Sequence, residues 1–167
     1  MLLMRMSNKS YNNMNALAAM CFDANASIDN LAYSLDYHYY NKIAEVVHLH
    51  VAHIMPEWAD LITDQMLELS ARPVRLNING YNKDYEDVKD VFAALLETLM
   101  GISSFTKDLI ESADMSGDDE VRIFGEEFLM KVSPFIKQAE EWSNAAKVMD
   151  PHSLNIHIKD YTHFIEL

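Results

Sequence analysis

The sequence predicts an all-α protein: a four-helix bundle of two antiparallel helix hairpins joined by one long crossover, with short N- and C-terminal extensions. Three observations predict it. Four long runs carry apolar residues at the 3/4 spacing of an amphipathic helix. One connection only, between the second and third runs, is long enough to travel the length of a bundle. Four glycines and four prolines in 167 residues leave few places where a helix has to stop.

Met14, Leu17, Cys21, Ala24, Ile28, Leu31 and Leu35 carry the first helix, roughly 11–37. Val47, Val51, Ile54, Trp58 and Leu61, continued on an adjoining row by Ile62, Met66 and Leu69, carry the second, roughly 42–70. Pro56 lies inside it and predicts a kink or a restart, because proline removes a backbone donor and clashes with the preceding turn. "ARPVRLNINGYNKD" has turn residues and no helical spacing, so it reads as the crossover, with a short helical turn expected at "DYEDVKD". "PVRLNI" is the one strand-like stretch, too short to make a sheet alone. Val88, Phe92, Leu95, Leu99, Ile102 and Leu109 carry the third helix to the loop "SADMSGDDE". The fourth is carried by Val121, Phe124, Phe128, Val132, Phe135, Ala139, Trp142 and Ala146; Pro134 predicts a second kink and Pro151 a stop. Residues 1–12 then read as an arm, 13–148 as the bundle and 149–167 as a tail.

Half of the residues are apolar, enough for one domain with a full core. A formal charge of −13 argues against a broad basic surface for nucleic acid, whereas acidic walls concentrate cations. Cys21 is the only cysteine, which excludes an internal disulfide and fits a reducing, cytoplasmic compartment. No stretch approaches the roughly 18 apolar residues of a membrane span, and "MLLMRMSNKS" lacks a sustained apolar core, so neither membrane contact nor secretion is expected. A Walker A loop, a dinucleotide glycine fingerprint, a Cys-x-x-Cys pair and a nucleophile elbow are all missing.

The chemistry concentrates in "HLHVAHIMPEWADLITD". At about 100° per residue, His50, His53, Glu57, Asp60 and Asp64 share one narrow arc beside the apolar one. Imidazole with hard carboxylate oxygens suits iron, and zinc or another divalent metal is compatible. The competing reading is a solvated helix face. Glu45 and His48 form one Glu-x-x-His pair, and Asp23 and Glu97 offer acids on the first and third helices, as an intrabundle diiron site requires. Asp118, Asp119 and Glu120 suit the positive end of the fourth helix dipole. Tyr33, Tyr37, Tyr39 and Tyr40 suit an interface. The first 22 residues contain Arg5 and Lys9 but no acid; repeated around an assembly, such an arm can grip DNA phosphates without reading bases, and alone it reads as a disordered terminus. The tail alternates apolar and polar residues and carries His152, His157 and His163, so it reads as an extended strand on a neighbour or a surface metal site.

Two hairpins joined by a crossover form the ferritin-like bundle, and within it the chain resembles the Dps family, the DNA-binding proteins from starved cells. "SGDDEVRIFGEEFLMKVSPFIKQAEEW" resembles that family's acidic turn and fourth helix, with Phe135 and Ile136 as its late aromatic and isoleucine pair. "SIDNLAYSLDYHYYN" is similar to the end of its first helix, and "WADLITDQMLELSARPV" to the end of its second. The likeness covers most of residues 14–145. It implies a hollow dodecamer that oxidises Fe(II), preferably with peroxide, stores Fe(III) inside and protects DNA as a stress response, sometimes on the nucleoid. The family's metal site lies between two subunits, histidines on one side and Asp-x-x-x-Glu on the other. Asp60 and Asp64 match the acidic pair, with aspartate in place of glutamate. His38 and His50 have the separation of the histidines but need a deletion before Asp60; a gapless register puts Tyr33 and Glu45 there instead. The resemblance also implies that Asp118, Asp119 and Glu120 line three-fold channels through which iron enters. A non-enzymatic DNA-binding shell with a degenerate metal site is the alternative.

Overall fold

The computed structural model describes residues 3–167. Among these residues the chain is helical without strands: α1 (Asn8–Tyr37), α2 (Asn41–Val47), a π-helical turn (His48–Ala52), α3 (Ile54–Glu68), α4 (Val88–Ser116), α5 (Asp119–Val148), α6 (Pro151–His157) and a 3-10 turn (Ile158–Tyr161). α2, the π turn and α3 together form the second long helix of the bundle. α1 pairs with them as one hairpin, α4 with α5 as the other, and α1 lies against α4 across the bundle.

Burial follows the apolar spacing. Met14, Leu17, Cys21, Ile28 and Leu35 of α1 face Phe92, Leu95, Leu99 and Ile102 of α4 within one core. In the second helix the buried set beyond the π turn is Met55, Trp58, Ala59, Ile62 and Met66; Ile54 is half-exposed and Leu61 exposed. Trp58 meets the rings of Phe128 and Phe135 edge-on at 5.6 and 5.0 Å and so ties the two hairpins together. Burial pushes the Cys21 thiol up to about 12, so it packs as a protonated apolar side chain.

Several ends differ from expectation. α1 starts at Asn8, and Met6 is buried ahead of it, so most of the expected arm belongs to the bundle. The Ser7 hydroxyl caps α1 by accepting from Ser10 N, while the Ser7 N–H and the hydroxyls of Ser7 and Ser10 donate to Asp118. Gly117, at φ 72°, ends α4 in the left-handed conformation that glycine adopts without penalty. A Cβ on Gly125 would lie 2.7 Å from the Ile110 side chain, so glycine there permits close approach of α4 and α5. α5 runs through Pro134, whose missing donor falls on an exposed part of the helix. No separate helical turn forms at "DYEDVKD": its first four residues are not helical, Val88 to Asp90 open α4, and Asp87 caps that helix by accepting from Lys89 N.

The tail is also different: it is helical and docks on its own chain. Pro151 occupies the first turn of α6, where a missing N–H costs nothing, and Asp150 caps it. Asn155 Oδ1 accepts from the N–H groups of Lys42 and Ile43, which are free donors at the start of α2. Gln138, Glu141 and Trp142 of α5 then hydrogen-bond residues 161–164. Alternation in the sequence could not reveal these partners on α2 and α5.

The crossover is fixed by a polar rail on α1. Tyr11 donates to Arg72 O, Asn15 accepts from Val74 N, Asp23 accepts from Asn79 N, Asn30 donates to Lys83 O, and Ser34 accepts from Tyr85 N. These side chains repeat along one face of the helix, so an extended segment without secondary structure keeps many backbone groups paired. No helix among the described residues is long and apolar enough to cross a membrane.

Candidate metal centre

The histidine-rich segment contains the π turn. His53 N donates to His48 O at 3.1 Å, a wider loop than the α-helical one, and so inserts an extra residue into the helix. Pro56 follows and cannot donate to Ala52 O. Asn25 Nδ2 from α1 donates to that carbonyl instead, at 2.9 Å. The expected restart near Pro56 is therefore a π turn backed by a side chain from the neighbouring helix. It also breaks the expected stripe: His50 and His53 lie within or beside the turn, whereas Glu57, Asp60 and Asp64 lie on α3 in a shifted register. His50 is half-buried; His53, Glu57, Asp60 and Asp64 are exposed. Asp60 lines a small groove with Phe22 and Arg75, and the Arg75 guanidinium stacks 3.5 Å from the Phe22 ring centre.

His38 and His50 do not come together. His38 sits at the end of α1, where Nε2 pairs with Asp84 Oδ1 at 2.8 Å. The gapless pair, Tyr33 and Glu45, does share a pocket. Tyr33, Asp36, Glu45 and His48 line one open pocket of about 270 Å³ at the α1–α2 face. At its edge His48 Nδ1 pairs with Asp29 Oδ1 at 2.8 Å, and the His48 ring packs against His53 with centroids 4.4 Å apart. A carboxylate on one imidazole nitrogen orients the other for a ligand, the usual support of a metal-binding histidine. Asp29 and Asp36 join this face beyond the residues that the sequence singles out; their signal is the spacing of Asp29, Tyr33 and Asp36 at i, i+4 and i+7 on α1.

Among the described residues, no three histidine, cysteine, aspartate or glutamate side chains of one chain converge as a metal site. Every buried side-chain nitrogen and oxygen among them has a hydrogen-bond partner, so the bundle interior has no polar group awaiting a ligand. Asp23 is held by Tyr81 and Asn79, and Glu97 is exposed. The donors available to a metal thus lie on the outer α1–α2–α3 face, where a second chain would have to complete the coordination.

The remaining candidates have defined surroundings. Asp118 is committed to Ser7 and Ser10: burial raises its pKa, but the hydrogen bonds from Ser10 and Ser7 together outweigh that and hold it below its ordinary value. Asp119 and Glu120 are exposed in the first turn of α5. Arg5 donates to Glu68 O and approaches Glu120 at 3.7 Å, while Lys9 is exposed on the first turn of α1. His152 stacks on Tyr40, His157 pairs with Asp160, and His163 pairs with Glu141, so the tail histidines have separate partners.

Neither a family model nor a curated protein matches the sequence. Solved structures do. An open-pore ferritin from the hyperthermophilic archaeon Archaeoglobus fulgidus matches 93% of this chain and 96% of its own, with a TM-score of 0.86 and 13% identity. The chain has the ferritin fold. A ferritin-like intrabundle diiron site takes a glutamate from each of two helices and a Glu-x-x-His motif from each of the other two. This ferritin-fold chain has one such motif, Glu45 and His48, and directs it to the outer pocket, while Met14, Ile28, Met55, Leu95 and Leu99 fill the core.

Proposed function

We propose that the protein is an iron-storing cage subunit that oxidises Fe(II) at a site shared by two copies. The observation that carries this reading is the ferritin fold held over nearly the whole of both chains. Fold alone does not specify chemistry. The outer face supports it independently: Asp36, Glu45 and a carboxylate-oriented His48 offer oxygen and imidazole donors on one side. Exposed Asp60 and Asp64 on α3, with Glu57 on the same helix and His50 and His53 at the π turn before it, are available to a partner copy. Iron is the substrate, carboxylates favour its oxidised form, and a surface of net charge −13 draws the cation in. Asp119 and Glu120 supply acids for an approach channel, with Asp118 bracing the turn beneath them.

The finer assignment, a Dps-like dodecamer using peroxide and shielding DNA, rests on the sequence resemblance. Exposed Tyr33, Tyr37 and Tyr39 suit a subunit interface. A second reading, a DNA-binding shell without ferroxidase activity, draws on the pairing of His38 with Asp84 and of His48 with Asp29, and on the exposure of Lys9. In it Arg5 and Lys9 grip phosphate and the metal face is vestigial.

Loading the purified protein with Fe(II) in air, followed by analytical ultracentrifugation with absorbance at a protein and an iron band, tests the storage reading. Iron cosedimenting with a closed oligomer is expected. An iron-free monomer would contradict both cage and storage.

A further inference from the structure

A second concave site lies away from the outer α1–α2–α3 face. It is a groove of about 610 Å³ between α1 and α4, roofed by the crossover, and falls in the roughly 300–1,000 Å³ range of small-molecule sites. Its floor is apolar: Ala24, Leu31 and Ile102 are each at most 2% exposed. Its walls are short where the helices face each other, with Ala16, Ala94 and Gly101 leaving the space open. Two carboxylates line it, from opposite helices, Asp23 on α1 and Glu97 on α4.

Those carboxylates differ in their commitments. Asp23 accepts from Asn79 N at 3.0 Å and from the Tyr81 hydroxyl at 2.5 Å, fixing the roof. Burial, then the hydrogen bond to Asp23, raises the Tyr81 pKa above its ordinary value, which keeps the phenol a donor. Glu97 pairs with no described residue. Lys83, the one cation among the described residues lining the groove, is drawn over the Tyr85 ring at 4.6 Å. Two acids against one base leave the groove negative above an apolar floor.

We propose that this groove binds an organic ammonium ion with an apolar body, an alkylamine or arylamine in its protonated form. The hydrocarbon lies on Ala24, Leu31 and Ile102, and the ammonium group meets Glu97 at the rim with Asp23 adding to the field. A carboxylate ligand of the same length is repelled, and a neutral alcohol gains only the apolar contact. The proposal is independent of iron and of the outer metal face.

Calorimetric titration of the assembled protein with heptylammonium, against heptanol and heptanoate, tests it. Saturable heptylammonium binding is expected, about fivefold tighter than heptanol, with heptanoate not bound. Glu97→Gln should bring heptylammonium down to the affinity of heptanol. Gly101→Leu should abolish binding of both: a Cβ at Gly101 meets nothing within 4 Å, so the added side chain enters open space, and leucine is the better helix former. Equal binding of heptanoate, unchanged affinity in Glu97→Gln, or no saturable binding at all overturns the proposal. If Gly101→Leu does not fold, the Glu97→Gln comparison decides alone.

Discussion

At the scale of single residues, the proposed metal face rests on a polar side chain that replaces a missing backbone partner. Pro56 deprives Ala52 O of its donor and Asn25 supplies one from α1. Asn25→Ala should lower stability by about 1 kcal/mol in urea unfolding, and amides around the π turn should exchange faster. Asp118 gives a pH signature. Its native pKa is held below the ordinary 3.8, so its contribution is complete above that value and is lost as pH falls through the lower native one. Asp118→Asn should therefore lower stability at neutral pH and flatten the acid limb below about pH 4; an unchanged acid limb would show that Asp118 is not a source of that limb. Pro56 was legible in the sequence because proline's chemistry is local. Asn25 was not, since it looks like any half-polar helix residue until the neighbouring carbonyl is placed beside it.

At the scale of elements, the four long helices and the single crossover were legible because apolar spacing persists over many turns and long-range packing agrees with it. The π turn was not, because one extra residue changes the helix phase without changing composition. That shift places His50 and His53 within or beside the turn and the acids Glu57, Asp60 and Asp64 on α3, while Tyr33 and Glu45 share a pocket. The helical tail is hidden in the sequence for a related reason: Pro151 can stop a helix or start one, and Asp150 before it with Ser153 after it makes a start. Asn155 then caps α2 from 112 residues away. Asn155→Ala should cost about 1–2 kcal/mol and selectively increase hydrogen exchange in α2; uniform exchange would show that the tail does not hold α2. Trp58→Ala removes the ring that joins both hairpins and should cost roughly 3–5 kcal/mol in denaturant unfolding.

At the scale of the whole molecule, the closed apolar core means that the proposed iron chemistry belongs on the outer face, and among the described residues that face has no complete ligand set within one chain. Assembly and iron oxidation should therefore rise and fall together in the proposed cage. The DNA-binding reading is separable, since Lys9 lies on the first turn of α1 and Arg5 just before it, bonded to Glu68 O at the last residue of α3 rather than to Asp60 or Asp64. Arg5→Ala with Lys9→Ala is a better test than deleting residues 1–12, because Met6, Ser7 and Ser10 belong to the bundle. DNA retention that is salt-sensitive and lost in this double variant supports that reading; retention unchanged in the double variant removes those residues from it.

The central claim is oxidation of Fe(II) at the shared face, and stopped-flow absorbance tests it most directly. Assembled protein is loaded with Fe(II) without oxygen and mixed with peroxide, and the Fe(III) band is followed in the parent protein, in Asp60→Ala with Asp64→Ala, and in Glu45→Gln with His48→Ala. Fast, saturable oxidation that both double variants lose while remaining assembled is the expected result. Oxidation no faster than that of protein-free iron contradicts the claim and leaves the histidine-rich segment as a solvated face.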